Sequence, residues 1–329
     1  MKIGQSKGKE IFKAILRHEN TALALILIVL IGVLAVITGG LTISKDNLVN
    51  IMFQSSSRGV ASIGQAFVIL TAGIDVSVGG VGLLLATLGG SLMTQAMHLN
   101  IIGYEVPIVV GIILMMVFGL AIGLFNGFFV SYLGVPALIT TLAVWRMATG
   151  TAFLIAHAQT IMDLPRSISI IGQGYLGGVP ISVLIFIGVA GLAYLVLNYT
   201  GYGRSVYAVG GNPTSAWLSG INVTRTILFA FGISGVLAGL AAVITLSRSL
   251  TASMVTLNGL ELDTIASVVI GGVSLNGGRG TIIGVVIGVI ILGVINNGMN
   301  ILVVGPALQD LIKGAIILTA VTIDVVRKR

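Results

Sequence analysis

Residues 22–41 read ALALILIVLIGVLAVITGGL, a run with no charged side chain. The hydrocarbon core of a bilayer is about 30 Å thick, and about 20 mostly apolar helical residues are needed to cross it. The run is therefore read as a first membrane span. A cleaved leader fits less well, because a long polar stretch precedes it and no A-x-A-like cleavage site follows. It is expected to be a retained span.

The same pattern recurs outward from it. Apolar runs occupy residues 51–71, 81–97, 107–132, 136–156, 179–198 and 226–246. Residues 262–274 are long enough only if 257–261 are included, and 281–302 and 308–326 complete the series. The expected fold class is an all-α polytopic membrane protein crossing about ten times, with one membrane domain over residues 1–329. Composition agrees: 56% of the residues are hydrophobic and 8% charged, against about 25% charged in soluble domains. Mean hydropathy is +1.11.

The second run differs from the others. Gln54, Ser55, Ser56, Ser57, Arg58 and Gln65 interrupt it, so it is expected to pack inside other helices rather than against lipid. Lys45-Asp46-Asn47 reads as a short polar loop with a helix-starting signal. Residues 157–178 and 199–225 read as the longer loops.

Net charge is +7, but its placement argues against nucleic acid. Lys2, Lys7, Lys9, Lys13 and Arg17 precede the first span, and Arg327, Lys328 and Arg329 follow the last. An even number of spans puts both tails on one side together with Arg204, Arg225 and Arg279. The opposite loops keep only Lys45, Arg166 and Arg248. Basic residues concentrate in cytoplasmic loops, so both termini (1–20 and 327–329) and residues 199–225 are expected in the cytoplasm.

There is no cysteine, and His18, His98 and His157 are scattered, so no disulfide or metal set is expected. Paired carboxylates, a Ser/His/Asp arrangement and a Walker A loop are missing. The chain is not expected to be an enzyme or to hydrolyse ATP itself, and it requires no cofactor. Ion-coupled transport would use ionisable groups inside spans. The candidates are Arg58, Asp75, Arg146, Glu261, Asp263, Asp310 and Lys313, with Asp310 and Lys313 spaced as a local i,i+3 pair. A faint echo links residues 73–80 (GIDVSVGG) with 272–278 (GVSLNGG), each ending one apolar helix and opening another, as internal repeats in transporters do.

Several blocks then carry a resemblance: Leu70-Thr-Ala-Gly-Ile-Asp-Val-Ser-Val-Gly-Gly; residues 208–223, AVGGNPTSAWLSGINV; residues 260–281, LELDTIASVVIGGVSLNGGRGT; and Asn296-Asn-Gly-Met-Asn with Gln309-Asp-Leu-Ile-Lys-Gly. In this order they resemble the branched permease family of bacterial ABC importers, of the ribose/xylose/galactose type, from about residue 45 to the end. The resemblance implies a type II-like importer permease in the bacterial cytoplasmic (inner) membrane. It also implies a second permease subunit (a homodimer or a close paralogue), an ABC ATP-binding protein, and a periplasmic or surface sugar-binding protein. The implied function is translocation of a monosaccharide, a ribose-like pentose or a hexose.

Within the second block, Asn212, Pro213, Thr214, Ser215, Ala216, Leu218, Gly220 and Ile221 are expected to form the loop that couples to the ATPase. Asn212 and Pro213 suit a capped helix start, and Gly220 suits its end. The block departs from the family in carrying Thr214-Ser215 where an acidic residue usually precedes the alanine. Gln65, Asp75, Ser77, Asn126, Asn296, Asn297 and Asn300 are candidates for the substrate pathway, because polar groups among apolar helices need partners. The alternative is hydrogen bonding to a neighbouring helix, for Asp75 and Ser77 as for the amides. Trp145 and Trp217 are read as interface markers rather than sugar-stacking groups. The competing function is an ion-coupled secondary transporter of a small polar solute depending on Asp75 or Asp263. A non-transporting membrane scaffold leaves the polar second span unexplained.

Overall fold

The computed structural model describes residues 19–326. The basic tails lie outside the described residues, except for positions 19 and 20.

Each of the ten apolar runs falls on one helix. In chain order these are α1 (Glu19–Ile37), α2 (Lys45–Leu70), α3 (Val78–Met93), α4 (Ile108–Ser131), α5 (Ala137–Ile155), α7 (Ile181–Tyr199), α10 (Val223–Ser249), α11 (Leu260–Ile270), α12 (Ile282–Ile301) and α13 (Pro306–Val326). Between them lie three shorter helices, α6 (Ser169–Gln173), α8 (Gly201–Gly211) and α9 (Pro213–Leu218). By length and composition α1, α4, α5, α7, α10 and α12 are able to cross a membrane. The chain is a helical, multi-pass membrane protein.

Three segments read as loops are ordered differently. Lys45–Asn47 is the first turn of α2, because Ser44 supplies the cap: the Asn47 N–H donates to Ser44 Oγ at 3.3 Å. Residues 199–225 contain α8 and α9 rather than open loop. Residues 157–178 hold α6 and most of a small hairpin that pairs β1 (Tyr175–Leu176) with β2 (Val179–Pro180). Gly177 and Gly178 both have positive φ, the conformation that a two-residue hairpin turn matching strand twist requires.

The helices sort by what surrounds them. None of residues 20–37 in α1 is buried, whereas most of the α12 span is. Residues 59–70 of α2 are buried without interruption, as its polar content predicts. Alongside it, α10 presses backbone to backbone on α4: a Cβ on Gly119 would strike the Gly235 carbonyl, and one on Gly123 the Phe231 carbonyl. Apolar lipid supplies no hydrophobic drive between helices, so close approach through small residues supplies dispersion contact instead.

Candidate functional site

Two chain breaks and one loop carry most of the polar chemistry. The first break follows α2. The Ala72 and Gly73 N–H groups close back onto the Ile69 and Val68 carbonyls at 2.8 and 3.0 Å, with Ala72 at positive φ. This ends the helix with its carbonyls satisfied. The chain then turns back, and side chains from neighbouring helices bind the turn. Gln65, in α2, brackets Asp75: with its amide assigned the orientation that satisfies both groups, it donates to the Asp75 carbonyl at 2.9 Å and accepts from the Asp75 N–H at 3.1 Å. Thr141 of α5 accepts from the Val76 N–H at 3.1 Å.

Both oxygens of the Asp75 carboxylate have donors. Oδ1 accepts from both the N–H and the hydroxyl of Ser77, and Oδ2 accepts from Ser234 Oγ of α10 at 2.8 Å. Asn126 of α4 donates to Ser77 Oγ at 2.9 Å. Gln65, Asp75, Ser77 and Asn126 therefore do come together, and no water-sized space remains among them. Ser234 and Thr141 complete the cluster and were not anticipated. The signal for Ser234 was a lone hydroxyl between Gly232 and Gly235 in an apolar run.

Asn296, Asn297 and Asn300 are elsewhere. The Asn297 and Asn47 amides exchange reciprocal bonds of 2.8 and 2.9 Å, joining α12 to the start of α2. Asn47 precedes Gln65 by eighteen positions, about 27 Å of helix, so this pair and Asp75 sit at different depths. Asn300 accepts from Gln309 at 3.0 Å. Asn296 is buried, and neither atom of its amide has a partner among the described residues.

The expected pair of Asp310 with Lys313 does not form among the described residues. Lys313 Nζ lies 3.6 Å from Asp263 Oδ1, and Arg58 Nη2 lies 3.0 Å from Asp263 Oδ2. One carboxylate on α11 thus holds two cations, one on α2 and one on α13. This arrangement answers the cost of placing charge at membrane depth.

The segment from Asn212 to Ile221 is built as its residues dictate. Asn212 Oδ1 accepts from the Ser215 N–H at 2.9 Å, and Pro213 takes the first helical position, where its missing N–H is harmless. Gly220 at φ +82 lets the Ile221 N–H reach back to the Ala216 carbonyl at 3.0 Å, stopping α9. Thr214 and Ser215 are exposed and Ala216 is buried, while Trp217 and Leu218 are 67% and 72% exposed. The preceding α8 is anchored between both breaks. A Cβ on Gly210 would strike the Leu70 carbonyl, which itself accepts from the Gly278 N–H at 2.9 Å, and Tyr207 donates to the Gly280 carbonyl at 2.9 Å. The two echoing segments thus meet at one joint beside α8.

The family model described as branched-chain amino acid transport system / permease component matches residues 47–321. The ribose import permease protein RbsC of Escherichia coli (strain K12) is 36% identical over 322 residues, covering 96% of this chain and 97% of the relative. The galactose/methyl galactoside import permease protein MglC of the same strain is 37% identical, covering 86% and 87%. The xylose transport system permease protein XylH of Haemophilus influenzae is 32% identical, covering 95% and 99%. No solved structure matches the chain.

Proposed function

This chain belongs to the family described as branched-chain amino acid transport system / permease component, and from that membership we propose that it is the membrane subunit of an ATP-driven importer carrying a monosaccharide. The solute class follows the relatives, which are named for ribose, galactose and xylose, rather than the broader family description.

In this reading the whole chain is one permease domain crossing ten times in a type II-like arrangement, in a bacterial cytoplasmic membrane. Both termini and the α8–α9 segment face the cytoplasm, as the distribution of basic residues supports. A second permease copy or close paralogue completes the pathway. An ABC ATP-binding protein supplies energy, and an external binding protein delivers the sugar.

The observation that carries the reading is α9. It is a short helix capped at both ends that exposes Trp217 and Leu218, and it follows directly on α8, whose end is held at the joint. Exposed large apolar groups on a rigid, non-spanning element mark a contact surface. The ATPase is the partner assigned to it, and the residues assigned to the contact are Asn212, Pro213, Thr214, Ser215, Ala216, Leu218, Gly220 and Ile221. Asp75 gives less support to the ion-coupled alternative, since both its carboxylate oxygens are engaged by Ser77 and Ser234 and no water-sized space adjoins them.

The test is co-purification of the tagged full-length chain from its native membrane in gentle detergent. A Walker A ATPase is expected with the unaltered chain and is expected to be lost with Leu218→Asp. Recovery of the chain alone, with solute uptake abolished by ionophores, overturns the proposal.

A further inference from the structure

The described residues include a groove that is polar where a membrane protein's outer surface is usually apolar. Asp46, Asn50, the pair Phe53 and Gln54, and the pair Ser57 and Arg58 recur about once per turn along α2, which places them on one helix face. Two adjoining cavities of about 360 and 280 Å³ lie against this face and share Phe53 and Arg248 as walls. The outer cavity is lined by Asp46, Asn50 and Tyr175. The inner one is lined by Gln54, Ser57, Arg58, Thr245 and Asp263.

The groove has a direction. The end of α2 at Leu70 sits at the α8 joint, so the mouth at Asp46 opens at the end of the helix away from that joint. From Asp46 to Arg58 the groove descends twelve residues, about 18 Å. It stops there, because residues 59–70 are buried. Arg58 forms the floor. Its Nη2 is held by Asp263, while Nε and Nη1 are buried with no partner among the described residues. Such donors are costly unless something accepts from them.

Lipid cannot satisfy these groups, and polar side chains inside spans border water-filled space or other protein. The charges also constrain the occupant. Asp46 and Asp263 offset Arg248 and Arg58 along the walls, so the groove has no strong single-sign field to select an ion. The amides and hydroxyls of the walls (Asn50, Gln54, Ser57, Tyr175, Thr245) suit oxygen atoms that both accept and donate. The larger cavity, about 490 Å³ between α4, α8 and α10, offers only apolar lining atoms and suits an acyl chain.

We propose that the groove along α2, bounded by α10 and α11 and floored by Arg58, is the outer vestibule of the solute path and binds an uncharged, polyhydroxylated molecule. This rests on the importer reading and replaces the Asp75 cluster as the point where the solute meets the chain. In the assembled transporter the vestibule is open to water at its mouth, and Arg58 marks its depth until the helices move.

The chain has no cysteine, so introduced thiols are read against a blank background. Gln54→Cys and Ser57→Cys are expressed in the full-length chain with its native partners in intact cells, and treated with a membrane-impermeant thiol-reactive cation. Val29→Cys on lipid-facing α1 and Ser234→Cys in the closed cluster are the references. The groove thiols are expected to react at least about tenfold faster than either reference, because only they border water. Reaction is also expected to halve, or more, the uptake of whichever of labelled ribose, xylose and galactose the unmodified cells take up through this chain. Rates no higher than the references at both positions overturn the vestibule, and so does full modification with unchanged sugar uptake. Cells that take up none of the three sugars through this chain contradict the sugar assignment instead, and the reaction rates alone then decide whether the groove is open to water.

Discussion

Two polar clusters sit inside this apolar chain, and they are built on opposite principles. Around Asp75, each carboxylate oxygen has its donor, Gln65 brackets the backbone, and no room is left for water. Around Asp263, one carboxylate divides itself between Arg58 and Lys313, donors are left over, and a cavity opens beside them. Burial of polar groups in a membrane protein therefore does not by itself mark a pathway. The Asp75 cluster ties α2, α4, α5 and α10 to one turn with no open volume beside it, while the Asp263 cluster borders the groove proposed as the vestibule. The Asp75 cluster holds a chain break shut; the Asp263 cluster holds three helices and leaves one side free.

The comparison is most severely tested by Asp263→Ala. Removing the one carboxylate strands two cations at depth, and breaking a buried pair in this way costs about 3–5 kcal/mol. Thermal unfolding of the detergent-solubilised chain is expected to show the largest loss here, with uptake abolished. Next comes Asp75→Ala, which orphans the donors of Ser77 and Ser234 at about 1–3 kcal/mol for the site. The conservative Asp75→Asn keeps an acceptor and is expected to retain uptake, whereas Arg58→Met is expected to lose uptake while the protein still folds. If Asp75→Asn abolishes uptake in folded protein and Arg58→Met does not, the roles of the two clusters are reversed.

A smaller effect is expected from Asn297→Ala. It removes the amide exchange with Asn47, and interhelical hydrogen bonds in bilayers average about 0.6 kcal/mol. A double-mutant cycle with Asn47→Ala isolates the coupling, which is expected near that value. Smallest of all is the response to salt. Between 0.1 and 1 M the Debye length falls from about 10 to about 3 Å. The stability difference between wild type and Asp263→Asn is expected to narrow slightly, because the groove admits ions, while that between wild type and Asp75→Asn stays fixed. An equal response at both sites would show that the Asp75 cluster is as wet as the groove.

Much of this was legible from the residues. The apolar runs locate every long helix, because the bilayer demands length and apolarity together. Asn212-Pro213 and Gly220 give α9 its ends, because capping is local chemistry that needs no tertiary context. What was lost is what depends on distance along the chain. Lys313 is read with Asp310, three residues away, yet it answers to Asp263 on another helix. Asn296, Asn297 and Asn300 look like one group in sequence, but packing decides which element reaches each: Asn297 meets α2, while Asn300, three residues on at the end of α12, meets the Gln309 side chain. The α8 helix was missed because GYGRSVYAVGG carries glycines that weaken helix propensity; here they are what lets its end approach Leu70 and Gly278. The Asp75 cluster was half visible, since Ser234 and Thr141 come from helices far along the chain.

At the joint where Gly210, Leu70 and Gly278 meet, main chain rests on main chain. Side chains between moving parts act as springs, since they hop between rotamers and absorb small displacements. Here nothing compressible intervenes. In the coupling role proposed for Pro213–Leu218, a push there would reach the end of α2 and the turn before α12 as displacement rather than be taken up in flexing side chains. The joint behaves as a linkage without backlash, in which one added methyl group at Gly210 would act as a shim.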